Sequence, residues 1–258
     1  MSTHSQRTPS DGQVVGTVPQ VDLREVAGVM RSLSDEITRD DPQSQLQRLV
    51  FVAVDRVPGT RWASVSALRT GRFTTPAATD EAAVRADTLQ YEIGSGPCVD
   101  AALDDSVYVT GDVRTNSRWR TWGERVADEV GVQSAFAQRL HLLDDSQLVA
   151  SLNIYSDRPA AFDDHAVGMG LVLATHAALI LSETIARDRA DNLSRALESN
   201  REIGVAVGIL MHSHRVTRDQ AFDLLRVASQ DSNRKLVDVA ADVADTGELS
   251  IRRRTGTT

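Results

Sequence analysis

Two cations and a row of small polar side chains stand together in Ser229-Gln230-Asp231-Ser232-Asn233-Arg234-Lys235-Leu236, which holds the one lysine among 28 Lys and Arg residues. The apolar periodicity that follows places Arg234 and Lys235 where a helix begins. Positive charge at that end opposes the helix dipole by about 0.3–1 kcal/mol. A local rule broken in this way marks a candidate functional site. With Asn233 or Ser232 as the cap, the free N–H groups of the first turn and the two cations would form a phosphate site. Ser229, Gln230 and Asn233 would add groups for sugar or base edges, the chemistry by which splayed RNA loops are read. The plainer alternative is a solvated helix start with Asp231 offsetting the charge. Arg201, Arg215, Arg218 and Arg226 either extend the patch or are ordinary surface arginines. Arg252-Arg253-Arg254 is a short basic run.

The other reactive residue types carry less. Cys98 is the only cysteine, so an internal disulfide and a Cys-rich zinc site are excluded. A lone free Cys behaves first as a small buried hydrophobe. Gly94-Ser95-Gly96 lacks the spacing of a Walker or dinucleotide loop. His212 and His214, two apart on a helix, point to different sides, and no neighbouring carboxylate or Cys completes a metal site. His141, His165 and His176 are isolated, and no nucleophile-elbow motif is present. The expectation is a protein that is not an enzyme, with no cofactor and no metal.

Composition sets the frame. The chain has 258 residues, 41% hydrophobic and 4% aromatic, with a net charge of −8. That charge argues against a protein that coats nucleic acid non-specifically. From Asp191 onward ten basic and ten acidic residues cancel, so the whole excess lies in the first 190 residues. A basic patch is therefore expected only in the C-terminal part. The polar first twenty residues predict a disordered tail without a signal peptide. No run approaches the roughly 18 apolar residues of a membrane span, and the expected location is the cytoplasm.

The periodicities give the elements that must carry these groups. Leu23, Val26, Met30, Leu33 and Ile37, then Leu46, Leu49, Val50, Ala53 and Val57, are helical stripes. In residues 62–68, Ala63, Val65 and Ala67 alternate with Ser64 and Ser66, the pattern of a half-buried strand. Thr70-Gly71-Arg72 reads as a turn, Glu81–Tyr91 as a helix and Ile93–Cys98 as a loop. A short strand at 107–109 and a helix over Trp119–Val130 follow. Ser134–Leu143 and Gln147–Tyr155 alternate on either side of Asp144-Asp145-Ser146, as in a β-hairpin.

From Asp163 to His212 there is no proline, and one helix of about 70 Å is expected. Within it Ala186, Ala190, Leu193, Leu197 and Asn200 step by four and three, a coiled-coil seam of about two heptads, with an Asn able to set register. Ile203–Met211 is apolar nearly all round and reads as buried. Gly204 and Gly208 leave a flat face for another helix, at about 1 kcal/mol of propensity each. Thr217-Arg218-Asp219-Gln220 reads as a capping box. Stripes at Ala221–Ala228 and Leu236–Val243 give two more helices.

Three blocks of this C-terminal part, Asn200–Met211, Ala221–Arg226 and Ser229–Ala240, resemble the ANTAR domain, a three-helix RNA-binding module of transcription antitermination regulators. The resemblance covers residues 190–250 and keeps the spacing of all three blocks. Tyr91-Glu-Ile-Gly-Ser-Gly-Pro-Cys-Val-Asp-Ala101, with Ser151–Ser156 and Phe162-Asp163, resembles the GAF sensor domain over 21–185, more loosely. One position departs: many ANTAR sequences carry a lysine where this chain has Val207. Cyclic-nucleotide-binding GAF domains carry an Asn-Lys…Phe…Asp-Glu signature. Here Asn153, Phe162 and Asp163 fit it, the lysine is missing and Asp164 replaces the glutamate, so those residues read as fixing the turn after the strand.

The expected fold class is α+β: a GAF-like mixed sheet flanked by helices, joined by a long helix to an all-α three-helix ANTAR bundle. The expected segments are a disordered tail 1–20, a sensor domain 21–185, an RNA-binding domain 186–250 and a basic tail 251–258. The expected partners are hairpin leader RNA through Arg201, Arg226, Ser229, Gln230, Asn233, Arg234 and Lys235, a second copy through the seam Ala186–Asn200, and an unknown small ligand in the GAF domain. The rivals are an adaptor whose bundle no longer binds RNA, and a helix-turn-helix DNA binder. Asp238 and Asp242 on the last helix weigh against the latter.

Overall fold

In the computed structural model the described residues are Arg24, 26–28, Arg31, 42–104, 106–143 and 148–249. The expected tails 1–20 and 251–258, the turn 144–146 and most of the helix expected at 23–37 lie outside them. The chain divides between Ile185 and Ala186 into two compact units.

The first unit holds a sheet of β1 (Trp62–Arg69), β2 (Arg72–Ala78), β3 (Val107–Thr110), β4 (Ser134–Leu140) and β5 (Leu148–Ser156), in the order β2-β1-β5-β4-β3. All four pairings are antiparallel. β4 and β5 are the two alternating segments on either side of 144–146. β2 was not legible as a strand. It contains Pro76, which has no N–H to donate to a ladder, and it lies at the sheet edge where proline is tolerated.

Helices cover both faces. α1 (Pro42–Arg56) and the start of the long helix pack on one face, where Ala63, Val65, Leu152, Ile154 and Phe136 meet Leu49, Met169 and Leu173. Gly170 is required there: a Cβ on it would lie 2.8 Å from the Phe136 ring. α2 (Glu81–Ile93), α3 (Pro97–Asp104) and α4 (Arg120–Glu129) cover the other face, with Leu89, Cys98, Trp119 and Trp122 against Tyr155. The serines of β1 therefore do not face water. Ser64 and Ser66 are 0% and 1% exposed, and the strand is buried on both sides instead of one. The loop expected at Cys98 is also corrected. Pro97 opens α3, a position proline favours because its missing N–H is not needed in a first turn.

The long helix, α5, spans Asp164–His214, 51 residues. Asp163 Oδ1 accepts from Ala166 N at 2.8 Å and caps it. An 18-residue window of α5 is apolar enough on average for a membrane span, but 67% of that window is buried inside the protein, the position of a core helix.

In the second unit the end of α5 packs with α6 (Arg218–Ser232) and α7 (Leu236–Thr246). Thr217 and Gln220 form the expected capping box on α6. Ala206, Val207 and Leu210 meet Ala221, Leu225, Val239 and Val243 in the core. The segment 203–211 is not buried all round. Val205 and Met211 are 46% and 38% exposed, because two short helices cover only part of its circumference.

Candidate functional site

The Ser229–Leu236 stretch is a junction between two helices and not the first turn of one. Asn233 ends α6 in the left-handed region, at φ 51°, ψ 38°, a conformation Asn tolerates better than most residues. Ser232 is the last residue of α6 and donates to Ala228 O at 2.6 Å. Neither caps α7. Its N-cap is Lys235, without a side-chain cap bond. The cap expected from Asn233 or Ser232 is therefore wrong: Asn233 turns the chain so that Arg234 and Lys235 bridge the two helices.

The two cations then separate in role. The Arg234 guanidinium pairs with Asp242 at 2.5 Å and reaches Asp238 O at 3.4 Å. Bonding to Asp242 holds Arg234 above its ordinary pKa and Asp242 below. Its anion is thus inside the unit, and Asp238 in the first turn of α7 supplies the negative charge the dipole favours. Ser229 is tied to the same link, donating to Arg234 O at 2.6 Å. Lys235 is exposed and has no side-chain partner among the described residues. Gln230 is exposed in the last turn of α6. Arg226 pairs with Asp223 at 2.9 Å on α6, and Arg201 is exposed on α5. Val207 is 7% exposed and belongs to the core.

The seam residues Ala186, Ala190, Leu193, Leu197 and Asn200 are all exposed, the two leucines by 62% and 61%. Nothing within 4 Å would meet a Cβ on Gly204 or Gly208, so the flat face they make has no partner among the described residues.

Sequence reasoning missed a second constellation, in the first unit. Asp87 of α2 is fully buried under the serine face of the sheet. Its carboxyl accepts from Tyr155 Oη at 2.6 Å, Thr75 Oγ1 at 3.0 Å, and Ser66 Oγ and Asn153 Nδ2 at 3.2 Å each. Tyr91 Oη donates to Ser66 Oγ at 2.6 Å, and Gln90 Nε2 to Tyr155 Oη at 2.9 Å. Burial pushes the Asp87 carboxyl up from its ordinary range, and the hydrogen bonds pull against that. Asn153 Oδ1 is buried without a partner. The only forewarning in sequence was the alternation of Ser64 and Ser66, which reads equally well as a solvent face.

Cys98 closes the cluster, with Sγ 3.5 Å from Ser66 Oγ and its N–H donating to Gln90 Oε1 at 2.8 Å. Burial and the nearby Asp87 push the thiol up, the reverse of what a reactive thiolate needs. The signature-like residues have structural work: Asn153 braces β5 to β1, Phe162 lies in the core and Asp163 caps α5.

A family model of the GAF domain matches residues 29–182, and one of the ANTAR domain matches residues 191–243. Among solved structures, the GAF domain of a phosphoenolpyruvate-protein phosphotransferase from Coxiella burnetii is similar at TM-score 0.51. It is 12% identical and covers 65% of this chain and 99% of that one. A putative GAF sensor protein from Burkholderia vietnamiensis has TM-score 0.47 and 16% identity, covering 64% of this chain and 92% of that one. A type II free methionine-R-sulfoxide reductase from Thermoplasma acidophilum has TM-score 0.43 and 21% identity, over 55% of this chain and 94% of that one. No curated protein matches the chain in sequence.

Proposed function

We propose that this chain, which belongs to the GAF domain family and carries an ANTAR domain behind its GAF domain, is an RNA-binding transcription antitermination regulator. The observation that carries the reading is the ANTAR match at 191–243, which lies over the three-helix unit. By analogy with that family, the bundle holds hairpins in a leader transcript and so keeps a terminator from forming. The GAF domain biases this output through a signal it receives, and the protein acts in the cytoplasm as a weak homodimer.

The contact surface is the junction of α6 and α7. Lys235 and Gln230 approach the RNA directly, with Arg201 and Arg226 at the margins. Ser229, Asn233 and Arg234 set the shape of that junction, and Arg234 reaches phosphate only by exchanging Asp242 for it. Two observations favour the rival adaptor: Arg234 is already paired, and the position of the family lysine is Val207 in the core. An electrophoretic shift separates the two. A two-hairpin leader RNA is expected to shift at low salt and to resist competition by duplex DNA. No shift with such RNA, or equal competition by DNA, refutes the RNA-binding reading.

A further inference from the structure

Of the two cations at the junction of α6 and α7, the structure turns one inward. Arg234 Nη1 donates to Asp242 Oδ2 at 2.5 Å, and Nη2 donates to Asp238 O at 3.4 Å. A guanidinium grips a phosphate most firmly through two parallel N–H bonds, and both terminal nitrogens of this one already face acceptors of α7. Asp238 and Asp242 are four apart, so their carboxylates share one face of the helix, and both are exposed. Lys235 is left as the open cation among the described residues.

The ion pair is not needed to hold the link between the helices. Asn233 makes the left-handed turn, and Ser229 donates to Arg234 O at 2.6 Å from the end of α6. Arg234 and Asp242 are 47% and 54% exposed, and ion pairs so open to water add little to stability. What Asp242 does change is the charge that an incoming nucleic acid meets.

We propose that Asp242 is a specificity-determining residue of the RNA site: it withholds Arg234 from phosphate and, with Asp238, keeps the backbone of a duplex off the junction. The proposal rests on the reading above, in which the junction contacts RNA. A duplex carries one phosphate charge per roughly 1.7 Å of its axis, so one laid across the junction sets several phosphates against the face of Asp238 and Asp242. An RNA loop splays its bases and is read through their edges, and Lys235 and Gln230 serve it without Arg234. The carboxylates therefore repel the duplex more than the loop. Some affinity for every polyanion is given up, and discrimination between them is gained through a repulsive element.

Fluorescence anisotropy on the full chain tests this, with a two-hairpin leader RNA and an unrelated DNA duplex as probes. Asp242→Asn removes the charge and keeps an oxygen that accepts from Arg234, so its melting temperature is expected to match wild type. Duplex binding is expected to tighten about tenfold at about 50 mM salt and its salt slope to steepen by about 0.9, the share of one further phosphate contact. The hairpin RNA is expected to gain less than about threefold, because its slope per contact is smaller and its loop is already engaged. Asp242→Glu keeps the charge and is expected to keep the wild-type preference. Asp245 is exposed on the same helix and is not bonded to Arg234. Asp245→Asn adds the same charge and is expected to leave the duplex slope as it was. Arg234→Ala placed in the Asp242→Asn chain is expected to cancel the gain.

Equal gains for hairpin and duplex overturn the proposal. So does a gain of the same size in Asp245→Asn, a gain that survives Arg234→Ala, or duplex binding unchanged in Asp242→Asn. A lowered melting temperature in Asp242→Asn makes the pair structural and overturns it as well. Wild type that binds neither probe overturns the RNA-binding reading itself, and the proposal with it.

Discussion

Replacing Asp87 distinguishes its charge from its hydrogen bonds. In Asp87→Ala, Ser66 and Thr75 keep Tyr91 as a partner, and Asn153 Nδ2 keeps Ser66. The Tyr155 hydroxyl loses its acceptor. One orphaned buried hydroxyl plus the void left by the carboxyl costs about 2–4 kcal/mol. Asp87→Asn is different. Its oxygen still accepts from Tyr155 and Asn153, and its N–H groups face Ser66 and Thr75, whose hydroxyls accept as well as donate. No charge is left to desolvate, and the cost at pH 7 is expected to be below about 1 kcal/mol, or a gain.

The pH dependence has a definite sign. Burial raises the Asp87 carboxyl in the folded state. The native protein therefore holds a proton over a range in which the unfolded chain has released it. Stability falls as pH rises through that range, from the ordinary carboxylate value to the raised one, and is flat above it. Asp104, Glu129 and Asp242 are held low by their hydrogen bonds and act in the opposite direction, but they are common to both proteins and cancel in the difference. Urea denaturation of wild type and Asp87→Asn from pH 4 to about 8 is expected to show the variant gaining on wild type as pH rises. Equal destabilisation by Ala and Asn at pH 7, or a pH-independent difference, would refute the argument.

Lys235→Ala is expected to weaken binding to hairpin RNA and to lower the salt slope by about 0.7, the share of one single-strand phosphate contact, with melting unchanged; an unaltered slope removes Lys235 from the surface. Arg234→Ala is expected to weaken RNA binding less than Lys235→Ala in the same titration, since Asp242 already holds that guanidinium. Val207→Lys is expected to destabilise the C-terminal unit by about 1–3 kcal/mol, because the ammonium enters a packed core; denaturant melting that matches wild type would show that the position opens freely to solvent. Cys98 is expected to resist a thiol reagent in the native protein and to react on unfolding, at a rate that follows denaturant concentration; fast labelling of the folded chain would contradict its burial and raised thiol.

What was legible in the sequence was what depends on neighbours along the chain. The capping box at Thr217–Gln220, the long proline-free helix, the stripes of α1, α6 and α7 and the alternation of β4 and β5 are local patterns, and each formed as read. The Ser229–Lys235 stretch was also picked out locally, but its geometry was not. Whether Asn233 caps the helix behind it or the one ahead depends on a left-handed turn that lets α7 fold back on α6, and Arg234 met Asp242 only because of that turn.

The same limit explains the rest. Ser64 and Ser66 alternate like a solvent face, and only the helices packed over them turned that face into an interior around Asp87. The flat face of Gly204 and Gly208 was visible as a pattern, but whether a helix of the chain fills it is a question of packing, and among the described residues none does. Periodicity reports which side of an element is apolar. It does not report what lies on the other side, and burial of the second side is decided by contacts between residues far apart in sequence, such as Asp87 with Tyr155.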